Sequence, residues 1–243
     1  MPAPTEAEAL SFQPLYKQVR DRLIKRIVDG AWAPGALLPS EMQIAAELGV
    51  HPGTVRRALD AMAKDNLVVR RQGRGTFVST HDDERVMFQF FKIVPDAGTR
   101  TFPQSTVLSI GVHPATSDEL EQLARAAGEE VVRIRRLRSF SGAPAIHETI
   151  TVPSADFPAL ETMELPNNLY GLYAMRFNVT IASSKERLKA VAADAMDGEA
   201  LGIALGHPLL QIDRVAYAVD KTPVELRRSN CLTEQLHYRS ELF

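Results

Sequence analysis

Apolar positions in the first third of the chain recur at helical spacing in three short bursts. Leu15, Val19, Leu23, Ile24 and Ile27 follow Pro14 at intervals of three and four, which predicts a helix closed by Gly30. Trp32, Pro34, Gly35 and Pro39 predict a rigid, extended connection after it. Ser40 and Gln43 have capping-box spacing and open a second helix, with Ile44, Ala45 and Leu48 inward and Gly49 as its stop. From Thr54 to Lys64 a third helix turns Val55, Ala58, Leu59 and Met62 inward and Arg56, Arg57 and Asp60 outward. Two short helices parted by a turn at Gly49 are the pattern of a helix-turn-helix. The period then changes. Leu67 to Val69 and Thr76 to Val78 read as strands around Arg70-Arg71-Gln72-Gly73-Arg74-Gly75, a basic hairpin whose glycines allow close approach to a groove.

Beyond a polar stretch at His81-Asp82-Asp83-Glu84, strand and helix patterns are interspersed. Thr116 to Ala127 reads as an amphipathic helix, with Thr116 and Glu119 as its capping box and Gly128 as its stop. Val131 to Phe140 and Ala145 to Val152 read as one strand hairpin, and Leu209 to Val219 with Pro223 to Ser229 as another. Asn168 to Phe177 and Asp194 to Leu205 read as helices. The expected class is α+β, with a winged helix-turn-helix at 11–79, a linker at 80–86 and an α+β body at 87–243.

The period of two on the first hairpin puts Arg136 and Arg138 on the face of Val132, Ile134 and Phe140. Glu148 shares a face with Ile146, Ile150 and Val152, and a three-residue turn at 141–143 sets it opposite Arg136. Inward charges are costly unless paired or bound to an anion, so this is a structural ion pair, a bulge that turns these arginines outward, or an anion site.

Composition changes the picture in one respect. The formal charge of −2 hides an uneven distribution: residues 11–80 carry eleven Lys/Arg against six Asp/Glu, and the rest of the chain is acidic. A basic head on an acidic body fits a protein of which one part meets phosphates. The single cysteine, Cys231, excludes an intrachain disulfide framework. The first ten residues lack a signal-peptide pattern, and no apolar run approaches the ~20 residues of a membrane span. A soluble, cytoplasmic chain with no membrane partner is expected. The six histidines show no metal-ligand spacing, and His147 and Glu148 fall on opposite faces of one strand, so no cofactor, metal or catalysis is expected.

Pro14-Leu15-Tyr16, Pro34-Gly35, Leu37-Leu38-Pro39-Ser40-Glu41, Leu48-Gly49-Val50, Thr54-Val55-Arg56 and Gly73-Arg74-Gly75-Thr76-Phe77-Val78 resemble the signature of the GntR family of bacterial repressors. The resemblance implies a recognition helix in the major groove and a wing at the minor groove. It places Ser40, Gly53, Thr54, Arg56, Arg57, Gln72, Gly73 and Arg74 at the DNA. Met42 and His51-Pro52 stand where many members carry arginines or a hydroxyl residue, which implies a different operator preference.

Arg136-Leu137-Arg138, Gly142-Ala143-Pro144 and Pro208-Leu209-Leu210 resemble the UTRA effector domain of HutC-type members, which has the fold of chorismate lyase and binds small anionic effectors. Its ligand positions fall on Arg136, Arg138, Glu148, Asn168, Tyr170 and Glu225, although alternation puts Glu225 with Pro223 and Arg227 rather than with Val224 and Leu226. Asn168 replaces a serine of sugar-phosphate binders and Cys231 a tyrosine of some members. The function expected is that of an effector-responsive, homodimeric repressor on double-stranded operator DNA with an inverted repeat. The competing expectations are a lyase-like enzyme, an all-helical metal-binding effector domain, and a body that only dimerises.

Overall fold

The computed structural model describes residues 14–28, 30–65, 67–79, 90–97 and 101–240. The expected linker at 80–86 lies outside them. Three helices open the chain: α1 (Leu15–Val28), α2 (Glu41–Leu48) and α3 (Pro52–Lys64). Ser40 caps α2 in a complete capping box, and Gly49 ends it in the left-handed conformation. Helix α3 begins two residues earlier than Thr54. His51 accepts the Gly53 amide through Nδ1 at 3.0 Å and Pro52 occupies the first turn, so the His51-Pro52 departure builds the helix start.

Strands β1 (Val68–Arg71) and β2 (Gly75–Val78) form the wing, with Arg71 opposite Gly75 and a three-residue tip. The strands run further than the sequence pattern implied, because Arg70 and Arg71 pair with Thr76 and Gly75. Gly75 takes φ 111°, a conformation that residues with a Cβ rarely adopt, and a Cβ there would lie 2.8 Å from the Leu37 side chain. The predicted apolar faces, apart from half-exposed Leu15, close into one core that also receives Val219 from the body.

The body contains β3 (Ile93–Pro95), β4 (Gln104–Pro114), α4 (Ser117–Gln122), β5 (Glu130–Phe140), β6 (Ala143–Pro153), α5 (Leu169–Phe177), β7 (Ile181–Ala192), α6 (Ala195–Leu201), β8 (Pro208–Ala218), β9 (Pro223–Cys231) and β10 (Leu236–Tyr238). Six strands form one antiparallel sheet in the order β4-β5-β6-β9-β8-β7, and β3 pairs with β10. The two hairpins read from the sequence form its centre and meet along β6 and β9.

Edge strands β4 and β7 were not predicted. Their exposed, polar-rich sequences give no clean alternation, since an edge strand is only partly covered. Helix α4 stops at Gln122 instead of Ala127, because Ala124 takes φ 53° and Arg125 turns to Asp156. Helix α6 stops at Leu201 instead of Leu205, at left-handed Gly202. Asn168 caps α5 from outside the helix.

Arg136 pairs with Glu148 as expected, by a different route. The turn is the two-residue Ser141-Gly142, both at positive φ, and a bulge at Ala145 restores the register. Glu225, Arg227, Ser229 and Cys231 are buried on the face that β9 turns inward.

Candidate functional site

The head presents one exposed basic surface. Arg56, Arg57 and Arg74 project into solvent, as do Gln72 and Gly73 at the wing tip, while Gly53 and Thr54 lie half-buried at the start of α3. Glu41 accepts from Arg56 Nε at 2.9 Å and also pairs with Arg70, which ties the recognition helix to the wing. Arg57 and Arg74 enter no ion pair among the described residues, so their five-donor heads are open to an anion. Ser40 is exposed, but its hydroxyl already serves the capping box with Gln43.

The second constellation lies on the inner face of the sheet, in a pocket closed by α5 and the segment before β3. Arg136 and Arg138 are 2% and 1% exposed, so both are buried as strand alternation predicts. Arg136 Nε donates to Glu148 Oε2 at 2.6 Å, and Ser229 Oγ donates to Oε1 of the same carboxylate at 3.0 Å. Burial alone would raise the Glu148 pKa. Arg136, Arg138 and Arg227 outweigh it and hold the carboxyl well below the usual range.

Arg138 is held differently. Its guanidinium lies over the rings of Phe91 and Phe102, 4.4 and 4.6 Å from their centroids. Its nearest carboxylate oxygen is Glu148 Oε1, 3.9 Å from Nη1, and its Nε and Nη2 have no hydrogen-bond partner among the described residues. Burial pulls its pKa down to about 9; Glu148 opposes that shift, and Arg136, Arg227 and Arg214 add to it. It remains a cation at neutral pH.

Tyr170 lines the pocket, and its hydroxyl donates to Glu225 Oε1 at 2.9 Å. Burial first, and Glu225 second, push the Tyr170 pKa up to about 12, so it stays a donor. Glu225 is fully buried and stands behind the pocket wall, accepting from Arg227, Tyr170 and Tyr173. Asn168 lines the pocket while its Oδ1 caps α5 through Gly171.

Sequence reasoning missed Phe91, Phe102, Asn167, Arg214 and Arg227. Arg214 was within reach: it alternates with Ile212 and Ala216, the same signal that marked Arg136 and Arg138. It pairs with Glu186, Nε to Oε1 at 2.7 Å. Cys231 also lines the pocket, where burial pushes its thiol pKa up, the reverse of a nucleophile's environment. His147, on the opposite face of β6, contacts Asp197 Oδ1 through Nδ1 at 2.8 Å, far from partnership with Glu148.

A winged helix-turn-helix joined to a sheet domain with a buried cationic pocket defines a ligand-responsive DNA-binding regulator. The chain belongs to the GntR family of bacterial regulatory proteins and carries a UTRA domain: the family models match residues 15–78 and 100–237 respectively. It is similar to the transcriptional repressor NagR of Bacillus subtilis, 27% identical over 217 residues and 89% of each chain. It is also similar to the mannosyl-D-glycerate transport/metabolism system repressor MngR of Escherichia coli, 27% identical over 94% of this chain and 96% of that one. Among solved structures, the ligand-binding domain of a Bordetella bronchiseptica protein assigned to the GntR-family regulators is 34% identical. It superposes with a TM-score of 0.59 over 63% of this chain and 98% of its own. The protein is therefore an effector-responsive transcriptional regulator and not an enzyme. The six-stranded sheet excludes the all-helical effector domain.

Proposed function

We propose that the protein is a homodimeric repressor that binds an inverted-repeat operator and releases or tightens its grip when a small anionic metabolite enters the body. In this reading the start of α3, with Gly53, Thr54, Arg56 and Arg57, meets the major groove. The wing tip, Gln72 to Arg74, meets the minor groove, and Ser40 supports the docking at the start of α2. Arg136, Arg138, Glu148, Asn168 and Tyr170 form the effector pocket, with Glu225 bracing it from behind. One observation carries the effector reading: Arg138 is a buried cation with an open hydrogen-bonding edge. A side chain in that state is costly to the free protein and complementary to an anion. A body that merely dimerised would have no use for it.

The DNA half is tested on an operator obtained by selection. Arg56→Ala and Arg74→Ala are each expected to weaken binding by ~1–3 kcal/mol if they read a base, and the binding is expected to fall steeply with salt. Fluorescence anisotropy across a salt series measures both, and undiminished affinity in both variants would overturn the docking. Light scattering of the free protein and of its operator complex tests the dimer. A thermal-shift screen of carboxylates and phosphates, followed by operator release, tests the pocket.

A further inference from the structure

The charges around the pocket can be matched one by one. Four guanidinium groups line it, those of Arg136, Arg138, Arg214 and Arg227. Arg136 is matched by Glu148, Arg227 by Glu225 and Arg214 by Glu186. Arg138 has only the distant edge of a carboxylate already engaged by Arg136. The pocket therefore lacks one negative charge. Lys92 also lines it but, unlike Arg138, is only half-buried.

The open atoms of Arg138 are Nε and Nη2, which share one edge of the guanidinium. That edge is the side-on fork that takes the two oxygens of a carboxylate in parallel hydrogen bonds. The centroids of Phe91 and Phe102 are 5.0 Å apart, and both rings pack against the cation, which leaves its Nε and Nη2 without a polar partner among the described residues. A phosphate monoester carries about −1.5 to −2 near neutral pH. Its second charge would meet guanidinium groups that already have partners, and would be buried without compensation.

A second unpartnered atom belongs to a residue of the same pocket. Asn167 lines the pocket and its Oδ1 is buried with no partner among the described residues. Its Nδ2 donates to the Pro103 carbonyl at 2.8 Å, which fixes the amide orientation and makes the open atom an acceptor. The remaining wall is largely apolar, including Phe91, Phe102, Ile146 and Ile212. A ligand that satisfies every open group has one carboxylate, one neutral hydrogen-bond donor and an apolar body.

We propose that the effector is a small hydroxy-monocarboxylate, its carboxylate seated on the Arg138 fork and its hydroxyl donating to Asn167 Oδ1. This rests on the reading of the pocket as the effector site. The test is calorimetric titration of the full-length protein with hydroxy acids from lactate to mandelate. Each is offered beside its deoxy acid, its methyl ester and a phosphate monoester on the same frame. The hydroxy acid is expected to bind best, with the ester and the phosphate weaker by about tenfold or more. Arg138→Lys, checked for its fold by circular dichroism, is expected to lower carboxylate affinity by about tenfold, because a point charge replaces the fork. Asn167→Leu is expected to erase the difference between hydroxy and deoxy acid.

A phosphate monoester that binds best and depends on Arg138 would overturn the carboxylate class while leaving the effector site in place. So would a panel in which no hydroxy acid binds but phosphates do. Binding that ignores Arg138→Lys, or that leaves operator affinity unchanged, would overturn the site itself. If no member of the panel binds, the proposal fails. An unchanged hydroxyl preference in Asn167→Leu would remove Asn167 from recognition.

Discussion

Arg138→Met is expected to make the ligand-free protein more stable by ~1–2 kcal/mol and its operator affinity indifferent to the effector. The native side chain is 1% exposed with two nitrogens, Nε and Nη2, unsatisfied, and its charge is repelled by three neighbouring arginines. Methionine is shorter, but its flexible thioether fills irregular space and buries no polar group. Glu148 keeps its 2.6 Å bond to Arg136 in the variant, so no carboxylate is orphaned. The loss is the attraction of the cation for the Phe91 and Phe102 rings, which sulfur–aromatic contact partly replaces. Urea unfolding without ligand measures the gain, and operator titration with and without effector measures the loss. A variant less stable than the parent would show that Arg138 holds the fold together and is not held in reserve for a ligand.

Glu148→Gln should do the opposite, with a loss of ~3–5 kcal/mol, the cost of breaking a buried pair from one side. Three arginines lie within 4 Å of that carboxylate: Arg136 at 2.6 Å, and Arg138 and Arg227 each at 3.9 Å. Glutamine keeps the shape and the Ser229 contact but removes the charge that neutralises them. The pH dependence has a definite sign. The Glu148 pKa is lower in the folded state than in the unfolded one, so its contribution is full above the unfolded value of about 4.3. It declines as pH falls below that value toward the folded one. The parent should therefore lose stability on acidification more steeply than Glu148→Gln, a difference read from urea midpoints taken down through the ordinary carboxylate range. Parallel curves would mean that the carboxylate is not held as an anion in the core.

The head was legible because each element carries its own start, period and stop within a few residues. The Ser40 box, the Gly49 stop and the basic turn are local signals, and no distant segment overrides them. The centre of the body was legible for a related reason: a strand such as β5, with one face buried and the other only partly covered, keeps a period of two, and a charge that breaks the apolar rhythm stands out, as Arg136, Arg138 and Glu148 do. Strands β4 and β7 were not, because an edge strand faces solvent on most sides and selection for apolar alternation is weak there. The helix ends at Gln122 and Leu201 depended on backbone sign at Ala124 and Gly202. Only the glycine advertises its φ. Phe91, Phe102 and Asn167 reach the pocket from segments with no period, so only tertiary packing reveals them.

The seam between β6 and β9 also sets the order in which the molecule can be assembled. Its partners are far apart in the chain: Ser229 reaches Glu148 across 81 residues. Closing such a loop is slow compared with forming three helices whose contacts are local. The head can acquire its core early, apart from the Val219 contact, while the pocket waits for β9 to arrive. Hairpin β5–β6 closes over a two-residue turn, so its short loop can bring Arg136 to Glu148 before β9 joins the sheet. The only tryptophan, Trp32, packs against the head core and reports that part alone. After dilution from urea, Trp32 fluorescence should recover in a fast phase, and effector binding should return only with a slower one.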